Sequence, residues 1–92
     1  MVVGGITNEA VEAVIEQSQD SLRACQASPR TGRLLLHFLI SADGTVRNLT
    51  LRSTTLRQPD TEDCVLKAVG ELRFPQLTRG DRAVVTWPLT FP

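Results

Sequence analysis

Two cysteines and one histidine are the residues of this 92-residue chain whose types are best suited to chemistry. A closed zinc site takes four ligands, so Cys25, Cys64 and His37 are one ligand short of it. A nucleophilic pair would require one cysteine to leave the predicted core and approach His37. The chain also lacks a glycine-rich phosphate loop, a serine elbow and paired catalytic carboxylates. We therefore predict that it is not an enzyme and that it holds no metal and no cofactor.

The spacing of the two cysteines leaves two roles open. Each cysteine lies on the apolar stripe of a predicted helix. A disulfide between them would close a loop of about 40 residues, which stabilises a protein by roughly 4 kcal/mol on the chain-entropy model. In a reducing compartment both would instead be small buried hydrophobic residues. The residues alone do not separate these alternatives.

Length and composition narrow the class of protein. A chain of this length supports one domain, and we predict a flexible leader over residues 1–5 followed by a domain over residues 6–92. Ten basic and ten acidic residues cancel, which removes the general attraction to phosphate backbones that dominates nucleic-acid binding. No nucleic-acid partner is expected. No apolar run approaches the roughly 18 residues of a membrane span.

The most apolar strand of the chain precedes its strongest turn signal. Asp43 and Gly44 favour a tight turn, which predicts a β-hairpin. In the returning strand Val46 falls out of phase with Leu49 and Leu51, as one extra residue in a β-bulge would cause. The first strand has apolar side chains that alternate with a period of two and should form the core face: Leu34, Leu36, Phe38 and Ile40.

The opposite face of this strand carries Leu35, His37 and Leu39. Leucines on that face need cover within the domain or a partner from outside it. These three residues are therefore a possible second interaction surface.

A first helix is predicted to begin near residue 8, with Thr7 or Asn8 as its cap, and its apolar stripe continues to Cys25. Another face of this helix repeats acidic residues at steps of three and four. That acidic face is either a solvated surface or a docking surface for a basic partner. Its members are Glu9, Glu12, Glu16 and Asp20.

A second helix, with Cys64 in its apolar stripe, is predicted to begin near Asp60 and to end before the pair Phe74-Pro75. A third strand closes the chain over residues 83–91. This order predicts an α+β fold, a two-layer α-β-β-α-β arrangement in which two helices pack on one face of a three-stranded antiparallel sheet.

The third strand is the best candidate for binding a partner. Pro88 donates no backbone hydrogen bond, so this strand should lie at the edge of the sheet, where backbone groups can pair with an incoming peptide strand. If the nitrogen of Pro88 faces outward, pairing should favour residues 83–87; if it faces inward, the outer edge is intact. The candidate partner-binding residues are Ala83, Val84, Val85, Thr86, Trp87 and Leu89.

Several stretches of the sequence together resemble one known family. They are the pair Ser53-Thr54, the helical residues 64–68, the pair Phe74-Pro75 and the pattern Gly32-x-Leu34-x-Leu36-x-Phe38-x-Ile40-x-x-Asp43-Gly44-x-Val46. From Ile6 to Phe91 the chain resembles the TonB carboxy-terminal domain family. It is most similar to the AgmX/PglI-type branch of gliding bacteria, in which cysteines recur at the positions of Cys25 and Cys64.

This resemblance implies a periplasmic domain whose parent protein is anchored in the inner membrane, with Cys25 and Cys64 joined by a disulfide. Family members couple inner-membrane proton-motive energy to outer-membrane partners, and strand addition would fall here on residues 83–89. We therefore expect a protein-interaction domain of an envelope energy-transduction or gliding-motility complex, which binds a segment of an outer-membrane or periplasmic protein. The alternative is a rigid module that docks on another envelope protein or the cell wall through Leu35, His37 and Leu39.

Overall fold

The strands of the protein form one antiparallel sheet, seen in a computed structural model that describes residues 2–26 and 31–91. Outside the described residues lie Met1, residues 27–30 and Pro92. Met1 belongs to the predicted leader, residues 27–30 to a predicted loop and Pro92 to the end of the predicted domain. The strand order is β1-β4-β2-β3. The elements are β1 (Val2–Val3), α1 (Asn8–Gln17), α2 (Gln19–Arg23), β2 (Gly32–Ser41), β3 (Val46–Thr54), α3 (Pro59–Gly70) and β4 (Arg82–Phe91).

The sheet has four strands, and the prediction of three was wrong. The additional strand, β1, comes from the segment 1–5 that we predicted to be a flexible leader, and it pairs with Val84 and Val85 of β4. The chain that follows β1 is fixed in place because Thr78 donates hydrogen bonds to the carbonyl oxygen of Gly5 from both its N–H, at 2.9 Å, and its hydroxyl, at 3.0 Å. These contacts hold β1 beside β4.

The described residues form three helices, because the predicted first helix is interrupted at Ser18. Helix α1 begins after Thr7, whose side-chain oxygen accepts a hydrogen bond from the N–H of Ala10 at 3.1 Å. At its end, the Ser18 hydroxyl donates to the carbonyl of Val14 at 3.2 Å, and the Ser18 N–H donates to the carbonyl of Ile15. Serine that bonds back to the preceding turn competes with regular helical hydrogen bonding. Helix α2 therefore starts as a separate element at Gln19.

The core lies between the helices and one face of the sheet, as predicted. Alternate side chains of β2 are at most 1 % exposed and form the centre of this face. Burying such side chains is the main favourable contribution to folding. The core also includes side chains from α1, α3 and β4. Its β2 members are Leu34, Leu36, Phe38 and Ile40, and those from the other elements include Val11, Ile15, Val65, Val69, Val85 and Leu89.

The second strand of the hairpin contains the predicted irregularity. Between the pairs His37 with Thr50 and Leu39 with Arg47, two residues of β3 oppose the single residue Phe38. One of the two is Asn48, whose φ of 53° lies in the left-handed region that asparagine tolerates. This bulge explains why Val46 is out of phase with Leu49 and Leu51.

The turn of the hairpin is fixed against the exit of α3. Gly44 has a φ of 90°, and a side chain on it would collide with the carbonyl oxygen of Phe74. The Phe74 N–H donates a hydrogen bond of 2.9 Å to the carbonyl of Gly44, and its ring lies 5.9 Å from that of Phe38. Glycine is needed here because it accepts positive φ at no steric cost.

A disulfide joins Cys25, which follows α2, to Cys64 in α3. Their Cα atoms are 5.6 Å apart, and 39 positions separate them in the sequence. Beside this bond the Thr61 hydroxyl donates to the carbonyl of Cys25 at 3.4 Å. The two alternatives for the cysteines are thereby resolved in favour of the covalent link between α2 and α3.

Candidate functional site

Strand β4 lies between β1 and β2 over part of its length, so the prediction that it is an edge strand was only partly right. Its inner side pairs with β2 along all ten residues from Arg82 to Phe91. Its outer side pairs with β1 at Val84 and Val85. In the described part of the chain, no strand covers the outer side of β4 beyond these two residues.

The nitrogen of Pro88 faces outward, away from β2. The Arg33 carbonyl accepts from the N–H of Thr55, and the Ser41 N–H donates to Thr45, so odd-numbered residues of β2 direct their backbone groups towards β3. Even-numbered residues must then bond to β4, because backbone groups alternate along a strand. The pairing of Leu35 with Pro88 therefore turns the backbone groups of both residues away from the β2–β4 ladder.

This orientation changes the expectation for strand addition. With an outward nitrogen at Pro88, we expected partner pairing to favour residues 83–87, but β1 already occupies the outer side at Val84 and Val85. Ala83 and Val85 are buried core residues whose backbone groups bond to β2 by the alternation above. The uncovered part of the edge is instead the C-terminal half of β4, where Pro88 offers a carbonyl and Thr90 offers both backbone groups.

A groove runs along this uncovered half of β4, on the helix side. Four residues of the α1–α2 segment form one wall, and residues 87–90 of β4 form the other, with a volume of about 250 Å³. Trp87 is half-buried in it, while Leu89 is only 7 % exposed. The helix wall consists of Glu12, Ile15, Glu16 and Gln19.

Sequence reasoning missed the part of this groove that α1 supplies. The sequence placed Glu12 and Glu16 on an acidic face that is either solvated or a docking surface for a basic partner, but it did not place them beside β4. Thr90 was not among the candidate residues. The repeat of acidic residues four positions apart was the available signal. It could not show which strand α1 lies beside, because that depends on how the helix packs on the sheet.

The predicted second surface lies on the face of the sheet opposite the helices. Leu35, His37 and Leu39 are all half-buried there. The register of the strands places them in three rows that cross the sheet. The rows are Val3, Val84, Leu39 and Arg47; Thr86, His37 and Thr50; and Pro88, Leu35 and Ser53. Val3 is 59 % exposed at the end of the first row.

The residues that could do chemistry are not brought together. His37 lies on the open face of the sheet, whereas both cysteines are bonded to each other between two helices. Within residues 2–26 and 31–91, no three histidine, cysteine or acidic side chains are grouped so that they could hold a metal ion. None of the described helices has the length and apolarity needed to cross a membrane.

Comparison with known proteins identifies the fold. No family model matches the chain, and no curated protein matches it. The chain is similar to the solution NMR structure of the Pseudomonas aeruginosa TonB carboxy-terminal domain, with a TM-score of 0.57 and 23 % sequence identity. The match covers 76 % of this chain and 73 % of that one.

The fold is TonB-like. At this sequence identity the likeness shows the fold alone, and it agrees with the resemblance read from the hairpin and the Phe74-Pro75 pair. Within this TonB-like fold, the groove beside β4 and the open face of the sheet are the two candidate interaction surfaces.

Proposed function

We propose that this chain is a non-enzymatic protein-interaction domain of the bacterial cell envelope. Its place would be the periplasm, in an energy-transduction or gliding-motility complex of the AgmX/PglI type whose parent protein is anchored in the inner membrane. Two observations support this proposal. The fold is TonB-like, and a disulfide joins Cys25 and Cys64, as is usual for proteins of oxidising compartments.

The partner segment binds, in this proposal, by strand addition along the C-terminal half of β4. The observation that carries it is the outer side of β4 next to a groove, which β1 covers only at Val84 and Val85. Edge strands bind extended peptides through their backbone groups. Because Pro88 lacks an N–H, a partner forms one ladder bond fewer here than at an ordinary edge.

The variant Pro88→Val tests this binding mode. It supplies the missing outward N–H, and one more ladder hydrogen bond of about 1 kcal/mol should tighten binding of a candidate envelope peptide about fivefold. Isothermal titration calorimetry measures the affinity, and chemical-shift mapping locates the peptide. The matched control is Pro75→Ala, which changes an exposed proline outside β4 and should leave the affinity unchanged.

Two results would contradict strand addition at this edge. One is an unchanged or weaker affinity in Pro88→Val with the fold intact. The other is a set of peptide-induced shifts confined to the face that carries Leu35, His37 and Leu39.

A second candidate function is rigid docking on another envelope protein or the cell wall through that face. The observation that favours it is the row of Val3, Val84 and Leu39, in which neighbouring apolar side chains from three strands remain accessible. No described helix packs on them, because the helices contribute to the core on the other face. Contiguous exposed apolar surface is typical of interaction sites.

A further inference from the structure

The groove beside β4 combines an apolar floor with a wall of one charge sign. Ile15, Trp87 and Leu89 line it together with the carboxylates Glu12 and Glu16. Both carboxylates are exposed, and none of the groove residues is basic. The groove therefore attracts cationic side chains whose stems can lie on apolar surface.

Helix α1 runs along the groove, so its side chains can contact a partner segment at more than one position. The N-terminal part of α1, with Asn8 and Glu12, lies by Trp87 and Pro88, whereas the groove reaches Gln19 and Thr90 at its other end. The helix thus runs alongside the uncovered half of β4. A strand added to the outer side of β4 would run alongside α1, with every second side chain on the helix side of the sheet.

The spacing of the two carboxylates matches that of side chains on such a strand. Residues four apart in an α-helix are separated by about 6 Å along the axis. Residues two apart in an antiparallel strand point to the same side and are separated by about 6.8 Å. Side chains at positions i and i+2 of the partner that face α1 would therefore lie opposite Glu12 and Glu16.

We propose that the segment accepted at this edge is basic, with lysine or arginine at two positions, i and i+2, that face α1. This inference rests on the proposed strand addition at the C-terminal half of β4. The cationic heads meet Glu12 and Glu16, and the aliphatic stems cover Trp87 and Ile15, as long basic side chains do on apolar surfaces. Side chains carry the selectivity because the edge around Pro88 supplies few ladder bonds.

Short designed peptides test the charge preference directly. They share an alternating threonine and valine background and differ only at positions i and i+2, which hold lysine, glutamine or glutamate. Trp87 is the single tryptophan of the chain, so its fluorescence reports occupancy of the groove. Each exposed ion pair should raise the affinity by a factor of about two to five. With two such pairs, the lysine peptide should bind about tenfold tighter than the glutamine peptide at low salt.

Substitution of the carboxylates identifies the residues responsible. The double variant Glu12→Gln with Glu16→Gln should lose the preference for lysine, so that the lysine and glutamine peptides bind it with equal affinity. The matched control is Glu9→Gln with Glu71→Gln, which removes the same charge outside the groove and should keep the preference. High salt should abolish the preference in the natural protein, because it screens exposed charges.

The outcomes separate the two proposals. Equal binding of the three peptides along β4 would overturn the basic preference and leave strand addition standing. Tighter binding of the glutamate peptide would also overturn it. If no peptide changes Trp87 fluorescence or shifts β4 resonances, even with Pro88→Val, strand addition fails and the basic preference fails with it.

Discussion

Asp43 shows at the scale of one residue how the hairpin turn is fixed. Its Oδ1 atom accepts hydrogen bonds from the Thr45 hydroxyl at 2.8 Å and from the Thr45 N–H at 3.1 Å. These two bonds, the hydroxyl one first, hold the pKa of Asp43 below its ordinary value of 3.8, and the Arg47 charge adds to the effect. The ionised carboxylate is therefore the form that stabilises the turn.

The variant Asp43→Ala should unfold at lower denaturant concentration than the natural protein at neutral pH. A carboxyl whose pKa is lowered on folding contributes stability that is present above its unfolded value of 3.8 and is lost as pH falls through the folded pKa. The difference between the two proteins should therefore shrink in strongly acidic solution. Urea unfolding across this pH range measures it, and a difference that stays constant with pH would contradict the role of the charge.

Pro88 marks the limit of sequence reasoning at the residue scale. The sequence predicted that this proline lies where no N–H is needed, because a proline cannot donate a ladder bond. Which way its nitrogen faces depends on the register between β4 and β2, and one residue of slip would reverse it. Only the pairing of Leu35 with Pro88 fixes that direction.

At the scale of elements, the disulfide ties the helix layer together. Helix α2 has only five residues, from Gln19 to Arg23, and a helix this short is not stable by itself. The bond from Cys25 to Cys64 holds its end against α3. The sequence predicted both cysteines on buried helical stripes, but Cys25 follows the end of α2 and the side chain of Cys64 is exposed. The packing of the helices side by side decided that the two are bonded.

Reduction of this disulfide should lower the free energy of unfolding by about 4 kcal/mol. The bond joins residues 39 positions apart, and without it the unfolded chain regains conformational entropy. That is a large share of the stability of a small domain. Urea unfolding with and without reductant measures the change. The control variant, Cys25→Ser with Cys64→Ser, should have the stability of the reduced protein, and reductant should not change that stability. Two titratable thiols in the oxidised, denatured protein would contradict the bond.

Strand β1 was unpredictable for a physical reason. Val2 and Val3 form too short a run to show a period, and glycines follow them, so the local pattern indicates a loop. Their strand exists because β4 offers an edge and because Thr78 holds the carbonyl of Gly5. Because β1 forms mainly through its pairing with β4, its own residues carry little sequence signal for a strand.

At the scale of the whole molecule, the two layers present different surfaces. The helix layer carries the acidic residues of α1, and the groove opens beside them. The open sheet face carries one mainly apolar row, which ends at Arg47, and a polar row through His37, and none of its three rows contains an acidic side chain. The two candidate surfaces therefore differ in charge and in polarity.

The double variant Leu35→Ser with Leu39→Ser separates these surfaces. Both leucines lie on the sheet face, so binding of the lysine peptide along β4 should stay within about twofold of the natural protein, since that binding depends on the groove. Docking through the sheet face should be lost. Loss of two half-buried leucine side chains costs about 2 to 3 kcal/mol of stability. Fluorescence titration and a pull-down from an envelope fraction make the two measurements.

The control for this pair is Leu66→Ser with Leu72→Ser, which removes two half-buried leucines from the helix side. It should lose similar stability and keep both interactions. If Leu35→Ser with Leu39→Ser abolishes peptide binding while the control does not, the sheet face, and not the groove, is the binding surface.

The sequence by itself determined the features that neighbouring residues decide. These are the core face of β2, the turn at Asp43 and Gly44, the start of the first helix near residue 8 and the bulge in β3. Each follows from local periodicity or local hydrogen bonding. Tertiary structure alone decided that β1 covers β4 at Val84 and Val85, that the nitrogen of Pro88 faces outward, and that α1 forms a groove with residues 87–90. These depend on long-range register and on how helices pack across the sheet, where residues distant in the sequence must fit together simultaneously.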